Sequence, residues 1–89
     1  MDRAARIRRL LQAGFNPTHL EVRDESALHA DHAAAMPEGQ THYHVIIAAP
    51  ELQHMPRVAA HRLVKKALAE EFAQGLHALR IEIRMPAGP

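Results

Sequence analysis

The sequence predicts a small α/β domain in the order α-β-β-α-α-β, with a three-stranded mixed sheet backed by helices. Three observations predict it. Three segments alternate apolar and polar residues with the period of a strand, others repeat apolar residues at helical spacing, and a long helical pattern separates the second strand from the third, as in a parallel crossover. At 89 residues the chain has room for one hydrophobic core and none for a second. Residues 1–89 are therefore taken as a single domain, with an ordered core over about residues 3–86.

Arg3 to Ala13 carries Ile7, Leu10 and Leu11 at i, i+3 and i+4, with Asp2 as N-cap and Gly14 at the left-handed C-cap position. Asn16-Pro17 signals a turn, after which "THLEVRDE" sets Leu20 and Val22 against Glu21 and Arg23, a strand with one buried face. The next strand, "THYHVIIAA", places Tyr43, Val45 and Ile47 on one face and His42, His44 and Ile46 on the other. Pro50 ends it and leaves room for a short helical turn from Pro50 to His54. Pro56 opens a long helix with an apolar stripe of Val58, Val64, Ala67, Leu68 and Phe72, ending at Gly75. The last strand, within "LHALRIEIRM", alternates Leu79, Ile81 and Ile83 with Arg80, Glu82 and Arg84.

Composition narrows the function. No apolar run reaches the length of a membrane span, and the Arg-rich start "MDRAARIRRLLQAG" lacks the pattern of a secretory signal, so the expectation is a soluble cytoplasmic protein that makes no membrane contact. Cysteine is absent, which excludes a disulfide framework and means that any soft-metal chemistry borrows its thiolates from elsewhere. A net charge of +1 falls short of the excess that marks a dedicated nucleic-acid binder, while allowing a local basic patch. Catalysis is not expected. Ser26 has Asp24 and Glu25 only as chain neighbours, and glycines at 14, 39, 75 and 88 are too scattered for a phosphate loop.

The histidines carry the remaining signal. Four of the eight fall in "LHADHAAAMPEGQTHYH", residues 28–44, where the connection between the first two strands is too long for a tight hairpin. If the third strand runs parallel beside the second, their starts are level, and His77 then faces His29 and His32 across one rim of the sheet. The plainer roles are a solvated loop for His29 and a helix C-terminal cation for His77. His61, beside the apolar stripe, is expected to be a partly buried, hydrogen-bonded histidine. His42 and His44 share a strand face and make at most a weak zinc pair.

"HLEVRDES" with its His-bearing loop, "PEGQTHYHVII", "AAHRLVKKALAEEF" and "GLHALRIEIRMP" together resemble the BolA family over roughly residues 3 to 86. The resemblance implies a class II KH-like fold and an adaptor for monothiol glutaredoxins in iron–sulfur trafficking or iron regulation. It implies that a loop histidine and the histidine of the His-Ala-Leu segment co-ligate a [2Fe-2S] cluster shared with glutaredoxin and glutathione. The matching positions are His29 and His77, with His32 a rival loop ligand. Ala60 departs from the family pattern, which has Arg before His61, and Lys65 departs from a common aromatic or Asn. The alternative is a DNA-binding transcription regulator using Arg57, Arg62, Lys65 and Lys66 on the long helix and Arg80 and Arg84 on the last strand. Free of its partner, the chain is expected to be a monomer or weak homodimer.

Overall fold

The computed structural model describes residues 2–25 and 42–84. The elements are α1 (Arg3–Phe15), β1 (His19–Asp24), β2 (His42–Ala48), α2 (Pro50–Gln53), α3 (Arg57–Ala67), α4 (Ala69–Ala73) and β3 (Ala78–Ile83). The sheet order is β1-β2-β3. β1 pairs antiparallel with β2, and β2 pairs parallel with β3, so the predicted mixed sheet and its crossover are present. The helices cover the sheet face carrying Tyr43, Val45 and Ile47, and Leu20, Val22, Leu79, Ile81 and Ile83 pack against the same core.

α1 begins where Asp2 Oδ1 accepts from the Ala5 backbone N–H at 2.8 Å, as expected of its N-cap. It does not end at Gly14. The left-handed C-cap is Asn16, at φ 48°, one turn beyond Gln12, whose carbonyl accepts its N–H. Asn is the one non-glycine residue besides Asp that adopts this conformation readily, and Pro17 then prevents further helix. The two extra residues bring Phe15 into the core with Ile7 and Leu11 at i+4 spacing, while Leu10 is 36% exposed.

The long helix also differs from expectation. It breaks at Leu68 (φ −104°, ψ 14°), whose N–H is shared between the Val64 and Lys65 carbonyls. Its core stripe is Ala60, Val64 and Leu68, all fully buried. Val58 lies about 200° around the helix from Ala60 and is 61% exposed. Ala60, with only a methyl side chain, holds a fully buried place in the core beside Val64 and Leu68.

The opposite sheet face is polar but has a buried centre. Ile46 is 1% exposed and lies level with Glu21 on β1 and Glu82 on β3. Glu21 accepts from His19 and Arg23, and these bonds lower its pKa to about 2.

Candidate functional site

The strand registers define one rim of the sheet. Asp24 lies opposite Tyr43, and the Glu25 N–H donates to the His42 carbonyl at 2.8 Å, closing the last rung before residues 26–41. On the other side of β2, His42 is level with Ala78, the first residue of β3. The entry and exit of the long connection and the start of β3 therefore share that edge, as the parallel crossover requires.

His77 reaches this rim because α4 ends in a left-handed turn. Gly75, at φ 115°, sends its N–H to Phe72 O, and the Leu76 N–H returns to Glu71 O at 3.0 Å, satisfying two terminal carbonyls together. Leu76 drops into the core at 4% exposure, so the next side chain, His77, is exposed. Its ring centroid lies 6.1 Å from that of His42, with the rings inclined at 51°. His29 and His32 fall outside the described residues.

His42 is the neighbour that sequence reasoning missed, having paired it only weakly with His44. The signal was present: parallel strands with level starts bring together the first residue of one and the residue preceding the other. His44 is committed elsewhere on the same face. Arg80 Nη2 donates to its Nδ1 at 3.1 Å, and Glu25 and Glu82 carboxylate oxygens each lie 3.8 Å from a ring nitrogen.

Among the described residues, no group of three or more His, Asp or Glu is arranged to hold a metal ion. The described part of the rim offers the imidazoles of His42 and His77, and the chain has no cysteine.

Comparison with known proteins places this geometry in a family. The BolA-like protein family matches residues 11–87. The chain belongs to the BolA-like family. It is 40% identical over 90 residues to SufE-like protein 1, chloroplastic/mitochondrial, of Arabidopsis thaliana, and 40% identical over 83 residues to BolA-like protein 1 of Bos taurus. The matches take in 97% and 93% of this chain, but it spans only 24% and 58% of those relatives' own lengths. Among solved structures, the BolA domain of SufE1 from Arabidopsis thaliana superposes with a TM-score of 0.85 at 38% identity, covering 98% of this chain and 95% of that one. The α/β architecture predicted from the sequence is thus that of BolA domains.

In this BolA-like chain the six basic residues of the nucleic-acid alternative lie on α3, on β3 and, for Arg84, just past the end of β3. Arg57 and Lys65 line an open cavity of about 510 Å³ between α3 and β3, together with His44, His61 and Arg80. His61 is partly buried there, as expected. Arg62 is exposed outside that lining, and Lys66 lines a separate cavity of about 370 Å³ beside Phe15 and Glu51. Arg80 donates to Glu25 at 3.0 Å, and Arg84 donates to Glu82 at 2.7 Å, holding that carboxyl below its ordinary pKa. No helix among the described residues is long and apolar enough to cross a membrane.

Proposed function

We propose that this chain is a non-catalytic adaptor that binds a monothiol glutaredoxin and co-ligates a [2Fe-2S] cluster, in iron–sulfur assembly or trafficking or in iron regulation. One observation carries it: the parallel register of β2 and β3 puts His77, exposed and beside His42, on the rim from which residues 26–41 depart. The SufE-like name of one relative is compatible with an iron–sulfur role. We place the adaptor in the cytoplasm.

His77 would hold the cluster with a loop histidine, His29 in first place and His32 as its rival. When bound, the cluster offers iron positions that imidazole can take in place of thiolate, as in Rieske-type centres. The two sulfurs absent from this chain would come from the glutaredoxin and its glutathione. His77 stands at an element boundary outside the core, so it can be removed without opening a cavity.

The test is reconstitution of the purified chain with a monothiol glutaredoxin, iron, sulfide and glutathione, followed by visible circular dichroism. A heterodimer with a spectrum distinct from that of the glutaredoxin homodimer is expected, abolished by His77→Ala and nearly so by His29→Ala, with His32→Ala milder. Equal loss from His29→Ala and His32→Ala would mean that the two exchange as ligands. No interaction at stoichiometric concentration would reject the adaptor, and an unchanged spectrum in His77→Ala would reject the ligand.

A further inference from the structure

α4 is five residues long and is separated from α3 by the break at Leu68. Its buried residue is a carboxylate, Glu71, at 3% exposure. Two guanidinium groups from the first turn of α1 converge on it. Arg3 Nε donates to Oε1 at 3.1 Å, while Arg6 donates from Nε to Oε2 at 2.9 Å and from Nη2 to Oε1 at 3.0 Å.

Arg3 does a second thing. Its Nη2 donates to the Gln74 carbonyl at 2.7 Å, so one planar group, itself 8% exposed, ties down both a side chain of α4 and that helix's terminal carbonyl. Gly75 lies against the same guanidinium, close enough that a Cβ there would sit 3.5 Å from Nη2. Only Gly75 and Leu76 separate the bound carbonyl from His77, and the backbone bond from Leu76 to Glu71 and the burial of Leu76 fix both.

We propose that the Arg3–Arg6–Glu71 cluster is the positioning device for His77, tying the C-terminal turn of α4 to α1 so that the imidazole is presented on the rim beside His42. This rests on the ligand role proposed above. Apolar side chains could fill the same space at equal or lower free energy, since buried ion pairs seldom outperform good packing. What they could not supply is direction. Two acceptors held by one rigid fork fix the angle of a short helix in a way that dispersion contacts do not. Outer partners that orient a ligand without touching the metal have this effect in metal sites generally.

The experiment uses Arg3→Lys, which keeps the charge and stem but lacks the fork, and Glu71→Gln, with Arg8→Lys on the exposed side of α1 as control. In the free chain, NMR should show residues 74–78 shifting and broadening and the His42–His77 ring contact weakening in Arg3→Lys, while the amides of Ile7, Val45 and Ile47 hold their positions. In the glutaredoxin complex, cluster affinity should fall by roughly 10–100-fold in Arg3→Lys and Glu71→Gln and remain unchanged in Arg8→Lys. If His77 keeps its position and order in both cluster variants while only unfolding becomes easier, the positioning role is overturned and the ligand proposal stands. If residues 74–78 loosen as expected but the wild-type chain assembles no shared cluster, the ligand proposal falls while the positioning of His77 is upheld.

Discussion

Glu71→Gln also measures what a buried carboxylate contributes to so small a fold. The hydrogen bond from Arg6 is the largest influence lowering its pKa from the ordinary 4.5, with Arg3 adding to it and burial opposing. Because the folded value is depressed, the stabilisation is fully present above the unfolded value and is lost as pH falls through the folded one. Gln keeps the shape and one acceptor oxygen, but it removes the charge and turns an NH2 group toward a guanidinium. Breaking a buried pair from one side costs about 3–5 kcal/mol. The Arg6 side chain is 35% exposed and can rehydrate, which favours the lower end, about 3 kcal/mol near neutral pH. At roughly 4–8 °C per kcal/mol for a domain of this size, the midpoint should fall by roughly 12–24 °C. Thermal and urea unfolding of both proteins, near neutrality and at about pH 3, gives the comparison, and the gap should narrow in acid as the wild-type carboxylate takes up a proton. A neutral-pH difference below about 1 kcal/mol, or a gap that persists undiminished in acid, would refute the account.

Leu11→Ala, at a position with no exposure, should cost about 2–5 kcal/mol in urea unfolding, whereas Leu10→Ala next to it should cost well under half as much. Similar losses would mean that α1 is rotated relative to the core. Tyr43 is the chain's single tyrosine, and burial raises its pKa to about 12. Ultraviolet titration should therefore show no phenolate near pH 10, and the stability contributed by the neutral phenol should be lost as pH rises through the folded value. If the chain binds duplex DNA at all, binding should be weak and steeply salt-dependent, with Lys65→Ala reducing the salt slope by about one unit. Arg84→Ala should reduce it less, because Glu82 already pairs with that guanidinium; equal effects would contradict this placement.

The sheet was legible because its signals are local and of period two. Leu20/Val22, Tyr43/Val45/Ile47 and Leu79/Ile81/Ile83 each report a buried face, and the helix between the last two strands implies their parallel pairing. The helices were less legible because i+3 and i+4 stripes overlap. Ile7 and Leu11 fit a stripe that includes Leu10 and also one that includes Phe15, and only the Asn16 cap, two residues later than Gly14, selects the second. On α3, Val58 looked like core by residue type, yet it is exposed and Ala60, a residue whose small side chain signals little, is fully buried. No local signal marked the break at Leu68, since nothing in "VKKALAEEF" is a helix breaker.

The site divides along the same line. The place of His77 on the rim was legible from topology, because level strand starts bring distant residues to one edge whatever their side chains are. Arg3 and Glu71 were invisible to sequence reasoning, for charged residues on amphipathic helices ordinarily mark the solvated face. Their burial follows from a contact between the first turn of α1 and the C-terminal turn of α4, 68 residues apart in the chain. The same contact explains why α4 can be short and separate from α3. A continuous helix would carry its end along the α3 axis, whereas a short one, broken at Leu68 and tied to α1 at Glu71 and Gln74, can hand the chain to β3 at the level of His42. The proposed positioning of His77 thus joins a helix break at Leu68 to an ion cluster whose two arginines come from the far end of the sequence.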